Sequence, residues 1–206
     1  MYQKYIKRVI DILLSFIIII LFTPFLIIIA IIIKMEDGGP IFYFSDRIGL
    51  DCRKFKMIKF RSMKVNAPDI RNEDGSTYNS KKDPRVTRFG RLLRETSLDE
   101  IPQVINVIKG DMSLIGPRAS TWDALSNYQL DEMDKMKVRP GITGLTQAYH
   151  RNQLSLREKR LKDAWYANNV SFWLDTKIFF KSIITVIKRE GIYSNNKNGN
   201  ELIGME

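Results

Sequence analysis

Hydrophobic and polar residues are segregated along this chain into one long apolar run and a polar, patterned remainder. From Ile12 to Ile33 the side chains are mostly Ile, Leu and Phe, and none is charged. As an α-helix the run measures about 33 Å, close to the thickness of a bilayer core. Lys34-Met35-Glu36-Asp37 follows directly, without a small-residue cleavage site, which speaks against a cleaved signal peptide. Basic residues stand at both ends (Lys4, Lys7 and Arg8 before, Lys34 after), and the positive-inside tendency draws both ends to the cytoplasmic side. Thr23-Pro24 lies near the middle, where proline removes a backbone donor and the Thr hydroxyl can satisfy a freed carbonyl. A kinked helix that crosses the bilayer satisfies these residues, and so does a helix-break-helix that enters one leaflet and returns. Asp11, at the edge of the run, needs a partner; Lys7 or Arg8, one turn earlier, can supply it in a structural role.

Gly38-Gly39-Pro40 punctuates the end of the run, and Ile41 to Phe44 then reads as a short strand. Phe55 to Phe60 is partly strand-like, within a stretch where basic residues interleave with apolar ones. Val65 to Pro84 is polar and predicts a loop. Arg85, Arg88, Arg91 and Arg94 recur at three-residue spacing, which can set them along one side of a helix. Ser97-Leu98-Asp99-Glu100 fits the capping box, with an apolar-rich helix from Ile101 to Ile108, Pro102 in its first turn and Gly110 at its end. Asp99 and Glu100 then sit at a helix N-terminus, where orphan N–H groups lower carboxylate pKa values and attract phosphate. Phe172 to Lys188 predicts a basic amphipathic helix, suited to core packing or to a membrane interface. Residues from Ser194 onwards read as a disordered tail.

Charge sharpens this picture: the formal net charge of +10 suits an anionic partner. Cys52 is the only cysteine, which excludes an internal disulfide and a cysteine-rich metal site. His150 is the only histidine, which argues against a histidine nucleophile. Asp99 and Glu100 can simply cap a helix. Two adjacent acids at the end of an arginine row, in a basic chain with an apolar anchor, point instead to chemistry on phosphate. Gly116-Pro117-Arg118 and Arg139-Pro140-Gly141-Ile142-Thr143-Gly144 are turns that each present an arginine.

The order of these motifs is similar to that of a known family. The matching stretches are Lys7-Arg8 with Asp11, Gly39-Pro40, Arg47-Ile48-Gly49, Lys59-Phe60-Arg61-Ser62-Met63, Asp83-Pro84-Arg85-Val86-Thr87, the block from Gly90 to Arg118, Pro140 to Gly144, and the Asp163 to Asp175 region. Over nearly its whole length the chain resembles the small, monotopic polyprenyl-phosphate phosphoglycosyl transferases of bacteria, which initiate glycoprotein, capsule and exopolysaccharide assembly. The resemblance implies an α+β fold, mostly helical. It implies a re-entrant membrane helix over residues 1–36 broken at Thr23-Pro24, a cytosolic membrane-associated catalytic domain over 37–193 carrying interfacial amphipathic helices, and a flexible tail over 194–206. It implies an inner-membrane enzyme with its site on the cytoplasmic face, in contact with membrane lipid and not with nucleic acid. Its substrates would be a UDP-sugar, favoured as an N-acetylated amino or diamino sugar, and undecaprenyl phosphate. By the same resemblance Asp99 attacks the β-phosphate, UMP leaves, and the aspartyl phosphosugar passes to the lipid. Mg²⁺ is the implied cofactor and Glu100 its candidate ligand, with Lys59, Arg88 and Arg118 as candidate phosphate or uridine contacts. Ser45, Ala119 and His150 depart from the family's usual Gln, Pro and Gly, at positions that bear on the nucleobase and sugar contacts. Two rivals remain on the residues alone: a membrane-anchored protein that holds nucleic acid or acidic lipid, and a hydrolase of prenyl diphosphates or nucleotide sugars.

Overall fold

A computed structural model describes residues 1–72, 78, 80–150 and 154–188. The tail expected from Ser194 lies outside the described residues. Helices dominate, with two small two-stranded sheets between them. After a π-helical turn at Tyr2–Ile6, the apolar run forms α1 (Lys7–Asp37), which ends on left-handed Gly38 at φ 72°. The expected interruption at Thr23-Pro24 is absent: α1 continues through Pro24. Proline forfeits one backbone bond and can bend a helix without ending it. Thr23 Oγ1 donates to the Ile19 carbonyl at 2.6 Å, one residue short of the carbonyl that Pro24 cannot reach.

Both ends of α1 are fastened to the rest of the chain, and its middle is bare. At the start, Lys7 pairs with Asp175 at 2.6 Å and Arg8 donates to the carbonyls of Val107 and Ile108. Asp11 accepts from Ser113 Oγ at 2.7 Å and from the Leu114 N–H at 3.1 Å. Its expected pairing with Lys7 or Arg8 is therefore replaced by bonds to a strand, while the structural role stands. Near the end, Ile29 and Ile33 pack against Phe60 and Leu93, and Arg61 grips Asp37 with both terminal nitrogens at 2.5 Å. Between these anchors Ile20 through Phe25 are exposed.

Strands β1 (Phe42–Ile48) and β2 (Lys54–Phe60) form an antiparallel hairpin in which Tyr43 lies opposite Lys59 and Ser45 opposite Met57. The loop expected over Val65 to Pro84 carries no named helix or strand among its described residues, although Met63 and Val86 form a bridge across it. Helix α2 (Arg88–Thr96) begins with Thr87 Oγ1 accepting from Gly90 N–H, and Glu36 of α1 accepts from Phe89 N–H. Arg85 lies outside this helix, contrary to the expected row of four; it is buried in a pair with Asp83 at 2.7 Å.

Helix α3 (Gln103–Lys109) ends at left-handed Gly110, as expected. Its buried Asn106 accepts from the Ile58 N–H at 2.9 Å and donates to the Lys56 carbonyl at 2.8 Å, stitching α3 to β2. Strands β3 (Ser113–Ile115) and β4 (Gly141–Thr143) pair in parallel, with α4 (Leu145–Tyr149) following. Their backbones are too close for side chains at the glycines. A Cβ on Gly141 would meet the Gly116 nitrogen at 2.1 Å, and one on Gly144 the Gly116 oxygen at 2.0 Å. Helices α5 (Leu156–Asn168) and α6 (Phe172–Ile187) complete the order. Tyr166, Ile178, Val138 and Ala148 form a core around β3. The outer side of α6 leaves Trp173, Phe180, Ile184 and Ile187 exposed, and Tyr2 meets Phe172 edge to face at 5.9 Å.

Candidate active site

Asp99 and Glu100 occupy a single 3₁₀ turn, Leu98–Glu100, between α2 and α3. Ser97 ends α2 in the left-handed region at φ 59° and makes no side-chain cap. The expected capping box is therefore not formed, because an N-cap needs an extended backbone that Ser97 has given up to reverse the chain. A non-glycine residue in this region costs of order 1 kcal/mol, a strain that concentrates at functional sites. The turn points Asp99 inward, where it is 8 % exposed.

Lys59 of β2 reaches across to Glu100, Nζ to Oε1 at 2.5 Å. Arg94, in the last turn of α2, donates to Ser62 Oγ at 2.9 Å, and its charge bears on Asp99. Arg47 of β1 donates to Ser45 Oγ and to the Ala119 carbonyl, and faces Arg118 and Glu100. Arg118 is exposed in the turn after β3, and its charge reaches Glu100. Two carboxyl groups thus lie within a shell of four cations.

Electrostatics separate the two acids. Burial pushes Asp99 up to about 6, with Glu100 adding to the rise and Lys59 and Arg94 opposing it. Burial also opposes the charge of Glu100, but Lys59, Arg118 and Arg47 outweigh it and hold that carboxyl below its ordinary value. Burial and the nearby Arg118 lower Arg47 to about 10, a guanidinium short of negative charge and suited to an anionic ligand.

Of the residues singled out in the sequence, Asp99, Glu100, Lys59 and Arg118 come together. Arg88 does not join them. It opens α2 at the end remote from the dyad, exposed beside a groove lined by Ile32, Met35, Glu36, Phe89 and Leu92. Thr23 and Pro24 lie on the exposed middle of α1. Arg94 and Arg47 take places at the dyad that the sequence reading had not assigned to either. Arg94 stood in the arginine row and Arg47 in a matched stretch, so both were visible as residues but not as neighbours. Among the described residues no group of three or more acidic, histidine or cysteine side chains forms a ready-made metal cage. The donors at hand are Asp99 and Glu100, which fit Mg²⁺ in the form where substrate phosphates complete its shell.

Comparison with known proteins gives the family. Residues 2–189 match the family described as Bacterial sugar transferase, and the chain belongs to that family. It is 40 % identical over 202 residues to the UDP-galactose-lipid carrier transferase of Erwinia amylovora, covering 93 % of this chain and 42 % of that protein. It is 39 % identical over 189 residues to the UDP-N-acetylgalactosamine-undecaprenyl-phosphate N-acetylgalactosaminephosphotransferase of Aeromonas hydrophila, covering 89 % and 44 %. With the exopolysaccharide production protein ExoY of Rhizobium meliloti it shares 38 % identity over 199 residues, covering 91 % and 88 %. The chain thus spans less than half the length of the first two and most of the third.

Proposed function

We propose that this chain transfers a sugar 1-phosphate from a UDP-sugar to undecaprenyl phosphate at the cytoplasmic face of the inner membrane. The observation that carries the reading is the buried Asp99 beside the Lys59–Glu100 pair, ringed by Arg47, Arg94 and Arg118. Both substrates are anions, and bringing them together requires fixed positive charge. Names of relatives, with UDP-galactose in one and UDP-N-acetylgalactosamine in another, support a UDP-sugar donor. Within that class an N-acetylated amino or diamino sugar is our choice.

In the first step an Asp99 carboxylate oxygen attacks the β-phosphorus of the donor. An oxygen–phosphorus bond forms, the bond to the UMP oxygen breaks, and UMP leaves. In the second step a phosphate oxygen of undecaprenyl phosphate attacks the same phosphorus and frees the Asp99 carboxylate. A carboxylate needs no separate base for such an attack. Lys59, Arg47 and Arg118 hold the diphosphate oxygens, and Arg94 keeps Asp99 charged. We place Arg88 on the lipid side, because its groove adjoins the exposed apolar side of α1. Glu100 and the donor phosphates would hold Mg²⁺, which when bound neutralises charge developing on the phosphoryl oxygens.

The membrane part of the reading is that α1, unbroken as a helix but bent at Pro24, enters and leaves by one leaflet. Its support is the placement of the anchors. Lys7, Arg8 and Asp11 at one end, and Ile29, Ile33 and Asp37 at the other, contact the same polar domain. A helix that crossed the bilayer would carry those anchors to opposite faces, beyond the reach of one domain. The exposed apolar side of α6, beside the start of α1, suits the same interface.

The test is UMP release from a panel of UDP-sugars with Mg²⁺ and undecaprenyl phosphate, for wild type and Asp99→Asn. Turnover dependent on one donor, on Mg²⁺ and on Asp99 is expected. Turnover that survives in Asp99→Asn would remove the nucleophile, and donor cleavage at full rate without lipid would make the chain a hydrolase.

A further inference from the structure

The side chain of Arg118 faces solvent and the dyad, but its main chain is gripped from behind by a buried ion pair. Asp163 of α5 accepts from the Arg118 N–H at 3.2 Å, and Lys135 of the 3₁₀ segment Leu130–Lys137 donates to the Arg118 carbonyl at 3.0 Å. The two groups pair with each other at 3.2 Å, with side chains 5 % and 2 % exposed. Thr146 Oγ1 donates to the other oxygen of Asp163 at 3.0 Å, and Lys135 also reaches Ser120 Oγ at 3.2 Å. One residue is thus held at both its N–H and its C=O by two charges that touch neither Asp99 nor Glu100.

Stability gives no reason to prefer this arrangement, since a buried ion pair can often be replaced by apolar side chains at no net cost. Precision does. A substrate cation carried on a turn must be held to within a fraction of an ångström if its side chain is to meet the phosphates of the bound donor. Gly116, two residues earlier, is already wedged against the Arg139 carbonyl and the Gly141 nitrogen, so the turn is located from below as well. We infer that Lys135 and Asp163 are positioning residues that set the approach of the Arg118 guanidinium to the phosphates of the nucleotide donor. The inference rests on the transferase reading for the identity of that ligand. It does not rest on it for the clamp.

A double-mutant cycle between Lys135→Met and Arg118→Ala, on the full chain in detergent, tests it. Both single variants should raise KM for the UDP-sugar about tenfold, the scale of one charge-assisted contact, with kcat little changed. The double variant should be no worse than Arg118→Ala alone, because the clamp acts only through that side chain. Multiplied losses in the double variant, or a Lys135→Met that lowers kcat and Tm at unchanged KM, would overturn the inference and leave a structural pair. If Lys135→Met does not fold, Thr146→Val, which removes only the hydroxyl that orients Asp163, replaces it in the same cycle. The cycle is run in parallel on equilibrium binding of UDP, which needs no turnover. Wild-type protein that binds UDP yet releases no UMP would sink the transferase reading, and the binding cycle would still decide this one.

Discussion

Asp99 carries opposing demands. Its burial holds its pKa at about 6, above the ordinary carboxylate value, while its proposed role needs the ionised form. Transfer should therefore rise with pH through about 6 and level above it, a limb measurable in kcat/KM. The same shift has a thermodynamic sign. A carboxyl with a raised folded-state pKa stabilises the fold below its unfolded value, and that contribution is lost as pH rises through the folded value. At pH 7.5 the native protein bears the full burden, so Asp99→Asn should raise the melting temperature while abolishing turnover. The gain, of order 1–3 kcal/mol, should shrink as pH falls below 6. A variant that is inactive and less stable at pH 7.5 would show that Asp99 is a structural ion-pair member instead.

Between residue and molecule, α2 decides where Arg94 and the dyad turn stand. Gly90 lets it approach the end of β2: a Cβ there would meet the Ser62 carbonyl oxygen at 2.0 Å. Helix propensity alone would favour Gly90→Ala by about 1 kcal/mol, but a backbone clash of this depth costs about 1–3 kcal/mol. Gly90→Ala should therefore lower the melting temperature, and it should lower kcat as well by drawing Arg94 away from Ser62. Thermal unfolding and UMP release read the two effects separately. Strands β1 and β2, α3 with its Gly110 end, and α6 were legible as local patterns, whereas β3 went unread and β4 lies in a stretch read as a turn. Ser97 was misread because the capping box is a local rule, whereas this serine closes the preceding helix at φ 59°. The site was legible in part. Asp99 and Glu100 stood out as adjacent acids, but the partner of Glu100 lies 41 residues away on β2, set by the hairpin register and by the stitches from Asn106. Lys135 carried no signal and Asp163 only its place in a matched stretch, since their role appears only where two distant segments meet behind Arg118.

For the molecule as a whole, the polar domain fastens α1 near both ends and leaves its apolar middle uncovered. Cysteines placed at Tyr5 and Met35, both exposed, should react with an impermeant thiol reagent only from the cytoplasmic side, in a Cys52→Ser background. Labelling of one of them from the periplasm would establish a crossing helix. Residues flanking Pro24, such as Leu21 and Phe25, should stay unreactive from either side until the membrane is dissolved.

The pairing of Lys7 with Asp175 also fixes an order of events during biogenesis. The two residues are 168 positions apart, so at ribosomal speed the lysine waits about ten to thirty seconds for its carboxylate. Tyr2, which donates to the same carboxylate, waits with it. Until then this end of the apolar segment lacks α6, and for the first part of the interval it lacks β3 as well, so lipid headgroups or a chaperone stand in. This end of α1 is thus fastened only once α6 has been made, long after the helix itself.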